Sequence, residues 1–316
     1  HNYNYVKADF VHWLPHLKEN GVLMMHDIVA FPEVKRVYDE SNLFRCSFPH
    51  SAGLGVLSRS QEIIEGIARQ FGLDVEYPRN QNNVCFIHAL AIKNWEEILK
   101  RQFERLMLSG LYGELDAIFL TIATSDPENF KVPTFISELQ KVQYLLSGDV
   151  EQGERLALNW MHQFCVESTQ DSNILYFHTK GVTKFGTYFQ TNIEDWVNLM
   201  ETFVIDDYRT CLDYLKTVDT CGINYFEEPV PHFSGNFWWA KGSYIKQLNP
   251  NIGEDYRDVE WWVLSGDNVK FCCLFHSQIN HYLQSYSIDG MPEETEPTLF
   301  TKENNTIQSL SGDSHI

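Results

Sequence analysis

What this chain lacks narrows its chemistry first. Its 316 residues hold 24 lysines and arginines against 43 aspartates and glutamates, a net charge of −19. Such a chain offers no broad basic surface, so no nucleic-acid or anionic-membrane partner is expected, and a phosphate-bearing ligand has to be met locally. No apolar run reaches the roughly 20 residues of a membrane span, and no segment reads as a signal peptide. The expected location is the cytoplasm. Because the chain opens on His1 rather than Met, a natural amino terminus is expected to be missing. No Cys-x-x-Cys occurs. The seven cysteines are odd in number and scattered, with Cys272 and Cys273 adjacent in an apolar run, which fits reduced core residues and argues against structural zinc. The glycine-rich dinucleotide fingerprint is also absent, since Gly53 and Gly55 lie in a strand-like run that opens no helix.

What remains is a globular α/β pattern, 43% apolar, long enough for two domains with separate cores. Val6, Phe10, Trp13, Leu14 and Leu17 share one side of an amphipathic helix, Gly21 to Asp27 reads as a buried strand with a polar end, and Ala52 to Leu57 reads as another strand. Ile63, Ile64, Ile67 and Phe71 predict a helix, and the polar stretch from Tyr77 to Asn83 predicts a domain boundary. Val84 to Ile92 then has the continuous apolar character of a central parallel strand. A helix capped by Asn94 and ended near Gly110 follows, then a second buried strand over Leu115 to Ala123. Residues 134–165 read as mainly helical, broken around Gly148 to Gly153. Thr191 and Glu194 fit a capping box at the head of a long apolar-faced helix. Beyond Ser285 few apolar residues remain, which predicts a flexible tail.

Two stretches carry the chemistry. Asn173-Ile-Leu-Tyr-Phe is a short buried strand ending in His178-Thr179-Lys180-Gly181, and ligands of open α/β sheets lie outside the carboxyl ends of strands. The second runs from His232 to Ile245 and sets Phe237, Trp238 and Trp239 beside a Ser234-Gly235-Asn236 turn, a combination of rings and polar donors suited to a sugar or nucleotide. Strand alternation would turn Trp239 to the core and Trp238 to a ligand.

In order and spacing these two motifs resemble those of a family of bacterial and viral glycosyltransferase-like domains with a GT-A-type nucleotide-sugar fold, over about residues 83–283. The resemblance implies a nucleotide-sugar donor, and a glycan or polysaccharide acceptor. It places His178, Thr179, Gly181, His232, Ser234, Gly235, Asn236 and Trp238 at the donor and substrate, with His88 near the same pocket. Many enzymes of that type hold the diphosphate with a metal on an Asp-x-Asp motif. Here Lys180 stands at that strand end, so it is the candidate cation for the phosphates. Use of Mn²⁺ or Mg²⁺ stays open, with His276 as a candidate ligand. Glu260 is the candidate general base and Asp258 the second choice.

The head of the chain, with His1-Asn2-Tyr3, Trp13-Leu14-Pro15 and His26-Asp27, resembles the carboxyl-terminal part of a class I S-adenosylmethionine-dependent methyltransferase. That resemblance implies a base role for His1 and a metal-side carboxylate role for Asp27, with S-adenosylmethionine bound only by an intact parent. The expected fold is therefore α/β: a partial Rossmann-like remnant over residues 1–59, a helix and linker over 60–82, a GT-A-like mixed α/β domain over 83–285 and a tail over 286–316. The expected function is glycosyl transfer within a bifunctional parent. Two alternatives stay open, a methyltransferase whose second domain positions substrate and a non-catalytic carbohydrate-binding module. Oligomeric state is not legible.

Overall fold

The structure, a computed structural model, describes residues 2–39, 41, 43–77, 82–288, 296–303 and 306–310. His1 therefore lies outside the described residues. The chain divides into two compact units, His1–Asn80 and Gln81–Ile316. No helix among the described residues is long and apolar enough to cross a membrane.

The first unit contains α1 (Tyr3–Trp13), β1 (Leu23–His26), α2 (Pro32–Asp39), β2 (Phe44–Phe48), β3 (Leu54–Ser58), α3 (Gln61–Phe71) and β4 (Val75–Glu76). Its strands lie in the order β1-β3-β2-β4, each antiparallel to its neighbour. Phe10, Val34, Val37, Tyr38 and Leu57 form one core, and Cys46, Val56, Ile64 and Ala68 form another. Strand β3 passes close to Tyr38. A Cβ on Gly55 would lie 2.5 Å from that ring, so glycine is what lets the two meet. Asp27 follows β1 with φ +69, and its Oδ2 lies 2.8 Å from His26 Nδ1.

In the second unit the chain runs through β5 (Asn82–Leu90), α4 (Trp95–Leu108), α5 (Leu111–Glu114), β6 (Ala117–Ala123), α6 (Thr134–Ser137), β7 (Val142–Ser147), α7 (Arg155–Glu167) and β8 (Ser172–His178). It continues through α8 (Gln190–Glu201), α9 (Tyr208–Tyr214), β9 (Thr220–Gly222), β10 (Tyr225–Phe226), β11 (His232–Phe233), β12 (Trp238–Lys241), α10 (Gly242–Ile245), α11 (Asp258–Trp261), β13 (Asn268–Cys273), β14 (Thr298–Glu303) and β15 (Thr306–Ser309). Nine strands form one mixed sheet in the order β15-β14-β13-β9-β12-β8-β5-β6-β7. Strands β7, β6, β5 and β8 are parallel, whereas β12 runs antiparallel between β8 and β9. The chain is thus mixed α/β.

Both faces of this sheet are covered. Cys85, Ile87, Leu120, Phe177 and Trp239 pack on one side with the apolar faces of α4 and α8, and Val84, Phe86, Ile174, Tyr176 and Trp238 pack on the other with α7. Each large apolar side chain so buried contributes about 1.5–3 kcal/mol relative to exposure. Helix α4 shows why its sequence is helical. Trp95, Ile98, Leu99, Phe103 and Leu106 recur on one buried face, Glu96 and Glu97 occupy the first turn where the helix dipole favours them, and Gly110 takes φ +82 just past the end. All seven cysteines are buried and unpaired.

Four expectations need correction. Residues 142–147 form an edge strand parallel to β6, not part of a helix. The segment expected as a flexible tail supplies β14 and β15, because backbone pairing to β13 orders a sequence with few apolar side chains. Helix α8 begins one residue before Thr191, with no side-chain cap at its head. Asn94 likewise makes no side-chain cap to α4.

Candidate functional site

The chain lays β6 and β7 to one side of β5 and then returns to place β8 on the other. Such a reversal opens a crevice at the carboxyl ends of the two diverging strands, where ligands of α/β sheets bind. His88 and His178 are direct partners across β5 and β8, and both follow the alternation of Phe86 and Tyr176 onto the α7 side of the sheet. Beyond His178 the backbone is pinned to β5: Thr179 N donates to His88 O at 2.9 Å, and Leu90 N donates to Thr179 Oγ1 at 3.2 Å. Gly181 takes φ +95, and a Cβ there would lie 2.9 Å from Ile193 Cγ2, so the turn after Lys180 requires glycine.

A cleft of about 370 Å³ opens over these strand ends, lined by His88, Glu154, His178, Lys180, Tyr256 and Tyr282 among others. Glu154, immediately before α7, supplies an inward carboxylate. Its Oε2 accepts from Tyr176 Oη at 2.9 Å and from Asn236 Nδ2 at 2.7 Å, while its Oε1 lies 3.6 Å from His178 Nδ1. The Lys180 ammonium sits 4.2 Å from the centre of the Trp196 ring, a cation–π contact that holds it at the cleft. Trp196 in turn stacks on His281 at 5.2 Å. Lys184 and Arg155 add positive charge to the lining, so this acidic molecule does present cations at one place.

Burial pushes His88 down to about 4, partly opposed by the Glu154 charge. Burial and then the neighbouring Lys180 push His178 down to about 3. Both rings are neutral near pH 7. The unfolded chain takes up these protons near pH 6.5, the folded one only at its depressed values, so the unfolded state binds more protons in between. Stability is therefore expected to fall as pH drops below 6.5, by at most about 1.4 kcal/mol per histidine per pH unit. Glu201 acts the other way, because burial raises its pKa. Urea unfolding midpoints at pH 7.5, 6 and 5 check the balance. A midpoint that does not move would mean that Glu201 offsets the two rings or that water reaches them.

The aromatic motif lies differently from expectation. Trp238 and Trp239 do point to opposite faces, but each face is covered and both side chains are fully buried. Trp238 therefore cannot stack on a ligand. Its indole donates to Asn236 Oδ1 at 2.8 Å, and that of Trp239 to Val204 O at 2.7 Å. Asn236, at φ +61, gives its amide to Glu154, so it orients a cleft residue. His232 Nδ1 lies 2.7 Å from Val230 O with its ring beside Phe226, and Ser234 N donates to Asn224 O. Neither lines the cleft. Gly235 O takes His178 Nε2 at 3.2 Å, which ties the motif to β8.

The two carboxylates expected as bases are also occupied. Glu260 Oε1 accepts from Gly235 N at 2.5 Å and Asp258 Oδ2 from Asp255 N at 2.8 Å, and neither lines the cleft. They brace turns. His276 Nδ1 accepts from Gln278 N at 3.0 Å, and its ring packs 4.9 Å from that of Phe226. Among the described residues no group of three or more His, Cys, Asp or Glu is placed to hold a metal ion. Glu154 is what sequence reasoning missed, and its signal, a carboxylate after the end of a strand, depended on recognising β7.

A family model described as "Domain of unknown function (DUF8361)" matches residues 83–252, a stretch that holds β5, β8 and the loop carrying Lys180. No curated protein matches the chain. Among solved structures, HddC from Yersinia pseudotuberculosis is similar at a TM-score of 0.38 and 10% identity, over 62% of this chain and 91% of that one. A likeness this loose carries no argument about fold or function.

Proposed function

The chain belongs to that family, more than half of its length being matched, and from the site we propose that it is a glycosyltransferase acting on a nucleotide-sugar. The observation that carries the reading is Lys180 in the lining of the switch-point cleft. In sugar transfer the bond from the anomeric carbon to the diphosphate breaks with its electron pair going to the diphosphate oxygen, a bond to the acceptor hydroxyl oxygen forms, and the acceptor proton passes to the departing diphosphate or to water. Negative charge grows on the departing diphosphate, and a fixed cation in a partly enclosed cleft stabilises that charge. Lys180 supplies it, and neutral His88 and His178 line the same cleft beside it. The mixed sheet, parallel at β5 and β8 with β12 reversed, supports a GT-A-like arrangement.

Mn²⁺ and Mg²⁺ prefer oxygen ligands. Glu151 and Glu154 are the carboxylates in the cleft lining beside the two imidazoles, and they would supply oxygen ligands to such an ion together with the diphosphate. A non-catalytic sugar-binding module is the second reading, favoured by the lack of an Asp-x-Asp at the end of β8. We read residues 1–59 as a methyltransferase remnant from the order of their segments alone. We place the protein in the cytoplasm, acting on a glycan or polysaccharide.

Lys180→Ala tests the reading. A charge-assisted hydrogen bond to phosphate is worth about 1.5–3 kcal/mol, so affinity for UDP or GDP is expected to fall roughly 10- to 100-fold. Calorimetric titration of wild type and variant decides it. Equal affinity for the two proteins would remove Lys180 from the site, and binding of nucleotide-sugars without turnover would favour the binding module.

A further inference from the structure

The hydrogen bond from His178 Nε2 to the carbonyl oxygen of Gly235, at 3.2 Å, fixes the tautomer of that ring. A carbonyl only accepts, so Nε2 carries the proton and Nδ1 of the neutral ring presents a lone pair. That lone pair faces Glu154 Oε1 at 3.6 Å, too far for a hydrogen bond between them. The ring does not become a charged partner for the carboxylate near neutral pH, because burial and Lys180 both resist its protonation. Glu154 cannot rotate away either, since Tyr176 Oη and Asn236 Nδ2 hold its other oxygen. Two acceptors are thus held side by side on the wall of the cleft.

We propose that Glu154 Oε1 and His178 Nδ1 form a receptor for two neighbouring hydroxyls of a sugar or ribose ring. The inference rests on the glycosyltransferase reading for the identity of the ligand. Adjacent hydroxyls on a ring project two O–H donors side by side, one for each acceptor. A phosphate cannot take this place, because the carboxylate repels it, whereas Lys180 attracts it. The cleft therefore orients its ligand, with the diphosphate at Lys180 and the diol at Glu154 and His178. Asn236 and Tyr176 are positioning residues for this pair.

Glu154→Gln is the discriminating variant. The glutamine oxygen keeps the bonds from Tyr176 and Asn236, and its amide N–H faces His178 Nδ1, so a donor replaces one of the two acceptors and the receptor is lost. The melting temperature of the unliganded chain is expected to hold or rise. Titration uses UDP, its 2′-deoxy counterpart and UDP-glucose, together with GDP, its 2′-deoxy counterpart and GDP-mannose. In wild type, the compound whose diol enters the receptor is expected to bind about tenfold tighter than its counterpart lacking that diol, and in the variant the two are expected to bind alike. A difference between ribose and deoxyribose forms assigns the diol to ribose, and one between nucleotide-sugar and nucleotide assigns it to the sugar.

Unchanged discrimination in Glu154→Gln would overturn the receptor while leaving the Lys180 reading intact. Failure of every nucleotide to bind wild type removes the glycosyltransferase reading instead. The receptor is then judged by melting temperature alone. A value at or above wild type supports a pair of facing acceptors, and a fall as large as that of Glu154→Ala, which also strips Tyr176 and Asn236 of their partner, overturns it.

Discussion

Replacing Arg105 with methionine is expected to destabilise the second unit by about 3–5 kcal/mol, the range for removing one partner of a buried ion pair. Glu201 on α8 is fully buried. Its Oε2 lies 3.1 Å from Arg105 Nη1 and its Oε1 accepts from Gln102 Nε2 at 3.1 Å. Arg101 approaches only to 3.6 Å, so it compensates in part. Arg105 also reaches Asn198, Thr202 and Asp206, and thereby ties α4 to α8 and to the π-helical turn Thr202–Asp206. Without it Glu201 must either stay charged and poorly paired or take up a proton, toward which burial already pushes it. Urea unfolding gives the cost. The double variant Arg105→Met with Glu201→Met is expected to recover a large part of it, because no unpaired buried charge remains. A single-variant loss below about 1 kcal/mol, the level of an exposed pair, would mean that water reaches Glu201. The same amide of Gln102 also donates to His178 O at 3.1 Å, so this damage should extend to the end of β8.

Gly235→Ala is the second large effect. Gly235 takes φ +98, where a side chain costs roughly 1–3 kcal/mol in backbone strain. A Cβ would also collide with the Met200 sulfur and lie 3.1 Å from Trp196 Cζ2, and overpacking of that kind adds about 1–3 kcal/mol. Together the expected loss is about 3–5 kcal/mol in chemical denaturation. Relief requires the Met200 side chain to swing aside and Trp196, the ring under Lys180, to give by a few tenths of an ångström, so nucleotide affinity should weaken as well. A variant as stable as wild type would show that the turn can shift without cost.

The sequence makes parts of this fold plain and hides others for physical reasons. Strands β5, β6 and β8 are continuous apolar runs because both of their faces are buried, and their short length with polar or turn residues at each end separates them from buried helices. Strand β7 is an edge strand with Gln143, Tyr144 and Leu145 exposed, so its face alternation is weak and the segment looks helical. Missing β7 meant missing Glu154, because a carboxylate at a strand's carboxyl end is meaningful only once the strand is known. Trp238 misled for a related reason. Alternation predicts which way a side chain points, but not that helices cover both sides of a central strand. Lys180 and His178 were legible because the apolar run of β8 ends abruptly in polar residues. The two braces, Glu260 on Gly235 and Asn236 on Glu154, join residues 25 and 82 positions apart, and no local pattern records such pairings.

The antiparallel pair β14 and β15 decides which backbone the sheet exposes at this edge. Strand β13, with Phe271, Cys272 and Cys273 buried, would otherwise present an apolar edge of unpaired backbone groups, the kind of template on which sheets from separate molecules join. Strand β14 pairs along all of β13, and Lys302 anchors it by donating to Leu264 O at 3.0 Å. The outer edge passes to β15, a four-residue strand with Thr306, Gln308 and Ser309 exposed. A short polar strand is a poor template for aggregation, so this segment of low apolar content acts as the sheet's safeguard against self-association.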